Sequence, residues 1–531
     1  MNKQFKSKIV LFAVFIFAII LPLLTLFLNV NLSEVKTLVA SEHFGKLILN
    51  SLTTTLLSTI ISVGLAVSVA WAINRANIKF KNVFTVLLTV PMLIPSISHA
   101  IGLIILLGSN GIITSLFGFE FALFGFNGIV LGSILYSFPV AFLLLNDAFS
   151  YEDYTVYEAA SVLGLSPMAQ FKEITFPNIT KPMIAATFAV FTMVFTDYGV
   201  PLMIGGKFQT LSAYMYREII GLLNFSNGAI IGVILLIPAL VAFLIDLKTD
   251  DGGSSSTVTT KYIVQENKTR DIVFNTYIAV ISIIVLLPIL AFMVLSFVKQ
   301  FPQDMSFSLN HFNSAKSLGI TEYLLNSLTI SLGVAILGTI TSYLSAYVTA
   351  RTGKDLSNRT LHFISMFSLA VPGVVLGLSY VLFFNGSILY NTVLILIIVN
   401  IVHFFSSPYL MAYNSLSTFS TTFNDISEIY NISSWKMLID VYIPNTEKTI
   451  YEMFSYFFTN SMITISAVSF LSNVRNMPLA LLIPQLDAQS LIEPTALVSL
   501  IILIVNVAFK IIIYYNQKNS MSVSQIGEIN E

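Results

Sequence analysis

Residues Tyr151–Pro182 read YEDYTVYEAASVLGLSPMAQFKEITFPNITKP. The stretch lies between two long apolar runs and is too polar for hydrocarbon, so it reads as an aqueous loop joining two membrane spans. At its centre stand Glu158, Ala159 and Ala160, followed by Gly164 and then Ile174-Thr175-Phe176-Pro177. The rest of the chain can be placed relative to this loop.

The 531-residue chain is 56% hydrophobic and only 10% charged, with mean hydropathy +0.84. Those values lie outside the range of soluble globular proteins. Repeated apolar runs of roughly 20 residues mean an all-α polytopic membrane protein. The formal net charge of -1 gives no basic footprint for nucleic acid. With no cysteine there is no disulfide, thiol nucleophile or cysteine metal site, and the five histidines show no metal-ligand spacing. No cofactor and no metal are expected.

Lys3, Lys6 and Lys8 precede an apolar run from Ile9 to about Leu28, too long for a signal-peptide core. It reads as a first span with a cytoplasmic N-terminus. Further spans are expected near Leu47–Ile73, Val83–Leu107, a segment ending at Ala148, Met183–Met203 and Gly228–Ile245. The Gly-rich segment Gly108–Gly128 lies outside or partly re-enters. Residues 246–270, including DDGGSSSTVTTK, read as a flexible cytoplasmic linker. Lys248, Lys261, Lys268 and Arg270 agree with that side. Spans then fall near Ile272–Phe297, Tyr323–Ala350, Leu361–Phe384, Asn391–Met411, Thr449–Leu471 and Pro494–Ile513. The polar tail from Asn516 reads as disordered. About twelve spans result, with both termini cytoplasmic in a plasma membrane. Arg75, Lys79 and Lys81, then Arg351, Lys354 and Arg359, mark inside loops, while Lys36, Lys46, Lys299 and Arg475 fall outside against the rule.

The two halves repeat. Asn50-Ser51-Leu52-Thr53 matches Asn326-Ser327-Leu328-Thr329, and each span ends in an arginine at the same distance, Arg75 and Arg351. Pro95 matches Pro372, and both are expected to kink their helices. A second polar loop, DISEIYNISSWKMLIDVYIPNTEK, aligns with the first when Pro177 is laid on Pro444. Glu158 then falls on Asp425, Gly164 on Asn431 and Glu173 on Asp440. Asn is the next-best residue after Gly for a left-handed turn. The matching halves lie parallel, related by an axis along the membrane normal. Expected domains are residues 1–245 (loop 151–182), a linker 246–270, residues 271–515 (loop 418–448) and a tail 516–531.

Glu158-Ala159-Ala160, Gly164 and the ending before Pro177 resemble the EAA loop of binding-protein-dependent ABC importer permeases, with Phe176 in the usual Leu place. Two fused halves, each with such a loop, look like the fused permeases of ferric-iron, thiamine and aminoethylphosphonate importers. The resemblance covers nearly all the chain outside linker and tail. Asn431 departs from the family's Gly. Thr196-Asp197-Tyr198-Gly199-Val200-Pro201 and Ile94-Pro95-Ser96-Ile97-Ser98-His99 look closer to the aminoethylphosphonate branch. The resemblance implies that each loop folds as two short helices docking into a groove on an ATPase, that two ATPase copies bind, and that an extracellular binding protein delivers a small solute. Ala159 and Ala160 would let a partner helix approach, Gly164 would supply the turn, and Pro177 would stop or kink the second helix. The chain has no GxxxxGK[ST] phosphate loop, so it is not expected to be an enzyme, and ATP hydrolysis belongs on a separate subunit.

Polar groups within spans usually face a cavity or a partner. Asp197, Tyr198 and His99 are the candidate path residues, and interhelical hydrogen bonding is the plainer reading of each. Asp197 falls on Thr464 in the repeat. Glu158, Asp425, Glu173 and Asp440 are either solvated surface, ATPase contacts or helix caps. The rival function is a proton- or sodium-coupled secondary transporter, which also uses parallel halves. It would need more mid-membrane titratable groups than Asp197 and His99, and it has no use for paired loops. A membrane enzyme lacks any nucleophile–base or metal constellation here.

Overall fold

Hydrocarbon offers backbone groups no hydrogen bonds, so a chain this apolar must satisfy them within helices. The computed structural model describes residues 3–118, 121–249, 260, 262–353, 355–420 and 422–529. The DDGGSSSTVTT part of the expected linker, with Lys261 and Lys354, lies outside the described residues, apart from Thr260. Among the described residues nine helices are long and apolar enough to cross a membrane. Two bent pairs, Leu356–Ala370 with Gly373–Phe384 (107°) and Val393–Phe404 with Ser406–Ser417 (55°), bring the number to as many as eleven. The segment expected as an eleventh span from Thr449 is a 17-residue helix, Glu447–Ile463.

Prolines set the breaks. The expected third span is helical to Leu93, leaves the helix at Ile94-Pro95 and resumes as Ser96–Leu107. The ninth breaks the same way at Val371-Pro372. A proline lacks the amide the preceding turn needs and its ring crowds that turn, so the expected kinks take the form of full interruptions.

Several boundaries differ from the sequence reading. The fifth span is not Met183–Met203: its helix runs Phe176–Thr196, opens at Asp197-Tyr198 and restarts as Gly199–Ile204. The eleventh ends at Ile463, and residues 464–478 cross the interior without helix. The linker is shorter than 246–270, because one helix extends to Thr249 and the next starts at Lys268. The tail continues the last helix to Ile529. A helix already nucleated adds one hydrogen bond per residue without a new nucleation cost, and no proline interrupts it. A two-stranded hairpin, Val298–Gln300 with Asp304–Phe307, follows the seventh span. It carries too little alternation to be recognised from sequence.

The repeat is structural. Ser51 Oγ accepts the Leu211 amide at 2.7 Å, and Ser327 Oγ accepts the Leu479 amide at 2.7 Å. Asn50 Nδ2 donates to Gln209 O at 3.0 Å, and Asn326 Nδ2 to Arg475 O at 3.0 Å. Yet each half lends its first helix to the other. Lys8–Leu28 lies on the second half, where Tyr380 Oη donates to Ala18 O at 2.7 Å and the Phe15 and Phe405 rings meet edge-on at 5.2 Å. Lys268–Leu295 lies on the first half, where the Ser68 and Tyr277 hydroxyls bond at 2.7 Å and Trp71 meets Phe274 at 5.4 Å. The main apolar core draws on both halves.

Close approach of this borrowed helix requires Gly102. A Cβ there would collide with Pro288 Cβ and lie 3.0 Å from Pro288 Cα, which is backbone and cannot swing away. Gly64 has nothing within 4 Å of an added Cβ. Gly102→Val is therefore expected to cost about 1–3 kcal/mol by overpacking, and Gly64→Val to stay within about 0.5 kcal/mol of wild type. Thermal unfolding of the detergent-solubilised protein measures both, and equal midpoints for the two variants would contradict the packing.

Candidate functional site

The polar loop folds as two short helices. Tyr154–Val162 begins at Asp153, whose side chain accepts the Thr155 amide at 3.0 Å. It ends at Gly164, where φ is +77°. The Leu165 amide reaches back to Ala160 O and the Gly164 amide to Ser161 O, both at 3.0 Å, closing the helix end. The second helix starts at Ser166, whose hydroxyl accepts the Ala169 amide at 3.3 Å. It passes through one π turn, Phe171–Thr175, into the next span. Pro177 does not stop it, and the helical run Pro167–Thr196 is continuous over 30 residues. The Phe176 amide bonds five residues back to Phe171 O. That wider turn lies just before the residue with no amide to offer.

The second loop repeats this plan from its first helix to its π turn. Thr422–Ile429 ends at Asn431, with φ +50°, and the Ile432 amide bonds Ser427 O at 2.8 Å. Ser433 caps the next helix through the Lys436 amide at 3.3 Å, and Leu438–Tyr442 is again a π turn, just before Pro444. Here the helix does break, at Thr446.

Glu158, Asp425, Glu173 and Asp440 are all exposed, and the loop helices are capped by Asp153, Ser166 and Ser433 instead. Ala159 is exposed and Ala160 is buried beneath it. Around these acids stands a row of exposed apolar side chains that sequence reasoning missed. Val162 is 88% exposed and its counterpart Ile429 77%. Leu163 pairs with Tyr430, Met168 with Trp435 and Phe176 with Ile443, all exposed. Apolar side chains thus stand exposed at equivalent positions of the two loops.

Each loop is anchored by the arginine that ends the long second helix of its half. Buried Arg75 pairs with buried Glu152, and its Nη2 lies 3.3 Å from Tyr157 Oη. Tyr157 Oη donates to Glu152 Oε2 at 2.9 Å and bonds Thr175 Oγ1 at 2.8 Å, tying together both loop helices. The Tyr262 ring, from within the expected linker, covers the guanidinium with its centroid 3.5 Å away. Arg351 reaches the same place in the other half. It donates to Phe419 O at 2.8 Å, Ser420 O at 2.9 Å and Tyr442 Oη at 3.1 Å. Phe419 stands where Glu152 does, so carbonyls replace the carboxylate. The matched spacing of Arg75 and Arg351 was a visible signal, but it read only as inside-positive charge.

The path candidates gather at the helix breaks. Asp197 accepts Ser96 Oγ at 2.6 Å, the Gly199 amide at 3.2 Å and the Val200 amide at 3.0 Å. Its carbonyl accepts Ser212 Oγ at 2.6 Å. Buried Tyr198 stacks on Tyr216 at 4.5 Å and donates to Ile465 O of the other half at 3.3 Å. A Cβ on Gly199 would lie 2.5 Å from Ser96 Oγ, and one on Gly373 would collide with Ser466 Oγ. The halves thus exchange glycine and serine at matching contacts. His99 is fully buried and neither ring nitrogen has a hydrogen-bond partner of ordinary geometry; its ring lies 6.0 Å from Tyr136. Buried His403 Nδ1 is likewise unpartnered, and sequence reasoning passed over it. Among the described residues no group of three or more His, Cys, Asp or Glu could hold a metal ion.

Comparison with known proteins matches two regions of the chain, residues 62–247 and 338–520, to the family described as binding-protein-dependent transport system inner membrane component. A putative ferric transport system permease protein (FbpB 1) of Haemophilus influenzae is 28% identical over 408 residues, 73% of this chain and 64% of that protein. The ferric transport system permease protein FbpB of Actinobacillus pleuropneumoniae is 27% identical, over 73% of this chain and 58% of its own. A putative 2-aminoethylphosphonate transport system permease protein (PhnU) of Salmonella typhi is 27% identical over 25% of this chain and 48% of its own. The chain therefore spans less than two thirds of the length of each of these relatives.

Removing one member of a buried ion pair leaves the other charged and uncompensated, at about 3–5 kcal/mol. Glu152→Leu should lower the unfolding midpoint and speed amide exchange across Thr155–Leu163, read by hydrogen-exchange mass spectrometry. The double variant Arg75→Met/Glu152→Leu should recover most of the loss, and Phe419→Leu should leave the second loop's exchange unchanged.

Proposed function

We propose a transport function from one premise: the chain belongs to the family of binding-protein-dependent transport system inner membrane components. It acts as the permease subunit of an ATP-driven importer in a cell membrane, with both termini in the cytoplasm. One observation carries this reading: the two cytoplasmic loops have the same helix–turn–helix geometry and present the same acidic and apolar side chains to solvent. A pair of equivalent faces on a pseudo-twofold body fits two copies of one ATPase. Glu158, Ala159, Ala160 and Gly164, and Asp425 and Asn431, are the coupling residues, with Pro177 and Pro444 ending each loop. Burying a Val162- or Ile429-sized side chain in an ATPase groove stabilises docking by about 1.5–3 kcal/mol each. The rigid anchoring through Arg75 and Arg351 lets a loop displacement move the long helices. When ATP binding closes the ATPase dimer, the two loops approach and the permease turns from inward- to outward-facing to take solute from an extracellular binding protein.

His99, Asp197 and Tyr198 line or gate the path between the halves. Asp197 acts by holding the break in shape, since both its oxygens are engaged. The first solute candidate is ferric iron, because the ferric relatives match over the largest share of this chain, and 2-aminoethylphosphonate is the second.

Co-purification with a co-expressed candidate ABC ATPase subunit tests the docking. Wild type should capture it. Glu158→Arg, Asp425→Arg, Val162→Asp and Ile429→Asp should each weaken capture at least tenfold, the effect of losing about 1.4 kcal/mol or more. Capture unaffected by all four would exclude the loops as docking faces. Asp197→Asn, which keeps an acceptor for Ser96, should retain more solute-stimulated ATPase activity than Asp197→Ala. Equal loss in both would mean that the charge itself meets the solute.

A further inference from the structure

Between the end of the second span and the start of the third lies a cavity of about 590 Å³. Its walls come from residues 73–81, from Phe149 to Tyr151 at the end of the fourth span, and from Tyr262 and Val264 of the linker. Lys79 and Lys81 both line it. Lys81 Nζ donates to Asn74 Oδ1 at 2.9 Å, and neither lysine has a carboxylate within ion-pair distance among the described residues. Glu152 is taken by Arg75, and Asp271 by Arg270 at 2.8 Å and by the Asn77 amide at 3.2 Å.

A lysine in an inside loop is ordinarily a topology signal, which needs neither a wall nor a fixed backbone. Here the backbone is fixed. The borrowed seventh helix holds it through Asn275, whose side chain accepts the Lys79 amide at 3.0 Å and donates to Asn77 O at 3.1 Å. The other half is built differently. Counting from Arg75 and Arg351, the place of Lys79 is taken by Asp355, and Lys8 of the borrowed first helix neutralises it at 3.0 Å. The repeat thus cancels charge at one site and leaves two ammonium groups at the other. A volume of this size falls in the roughly 300–1,000 Å³ range of small-molecule sites. Its position at the cytoplasmic ends of the spans is where basic pockets meet lipid headgroups. Lysine serves phosphate as a compact charge.

We propose that this cavity binds a phosphate-bearing anion, with Lys79 and Lys81 as its cationic contacts. The shared chemistry is a phosphoryl group, from an anionic lipid headgroup or from free phosphate. Native mass spectrometry of the full-length protein in detergent tests it, with phosphatidylglycerol, phosphatidylcholine or inorganic phosphate added. The variants are Lys79→Gln/Lys81→Gln, Lys79→Arg/Lys81→Arg, Ser150→Trp to fill the cavity without changing charge, and Lys207→Gln/Lys316→Gln as a distant control. Wild type, the arginine pair and the control should retain phosphatidylglycerol. The glutamine pair should lose it by about thirtyfold, the effect of two lysines at about 1 kcal/mol each near a membrane surface, and Ser150→Trp should lose it by at least about tenfold. Phosphatidylcholine should not be retained. The same dependence for inorganic phosphate alone would assign the site to a soluble anion. Equal retention by wild type and the glutamine pair would overturn the proposal. So would retention by Ser150→Trp, because the charge would then act from the open surface and not from the cavity.

Discussion

A peptide group that leaves a helix inside a membrane protein must find its partner within the protein, because the bilayer supplies none. The helix breaks obey this constraint with side chains from elsewhere in the fold. At Asp197-Tyr198 the carboxylate receives two amides of the restarting helix, and Ser212 donates to the Asp197 carbonyl. At the matching break Thr464 uses no acid, and the buried carbonyl of Ile465 accepts both the Ser469 amide at 3.1 Å and the Tyr198 hydroxyl of the other half at 3.3 Å. The two breaks therefore depend on each other. The interior between the halves is polar backbone held by a few side chains, which is the kind of region that can exchange between two arrangements.

The same dependence runs through the exchanged helices. Neither half is complete alone, since Tyr380 is satisfied by Ala18 and Ser68 by Tyr277. Each polar loop is joined to a long helix by a buried arginine, and that long helix packs on a helix that belongs in sequence to the other half. The linker end takes part as well. The Thr260 carbonyl accepts the Tyr154 amide at 2.9 Å, and Tyr262 lies on Arg75, so the first loop is clasped from three sides. The second is held by Arg351 against backbone carbonyls. The two loops share an outer face and differ in their foundations.

Duplication explains what is matched, and drift within a fixed geometry explains what is not. Gly164 and Asn431 both hold a left-handed turn, because Asn tolerates that conformation nearly as Gly does. Gly199 beside Ser96 becomes Ser466 beside Gly373: either partner may carry the hydroxyl so long as the other has no Cβ. Glu152 becomes Phe419 because a carbonyl at the same place serves Arg351.

The sequence by itself determined the helical membrane class, the duplication, the positions of the two polar loops and the turn residues within them. Each of these rests on local composition or spacing: apolar runs near 20 residues, a repeated NSLT and arginine, a residue able to take positive φ. The breaks at Pro95 and Pro372 were legible for the same reason, since a missing amide is a local fact. Only the tertiary structure decided that Pro177 is absorbed by a π turn, that the fifth span opens at Asp197 and that the first helices change halves. It alone placed Glu152 under Arg75 and left Lys79 and Lys81 facing a cavity. Those outcomes turn on which group lies across from which, and residues far apart in the chain supply the partner that chooses among conformations the local sequence allows equally.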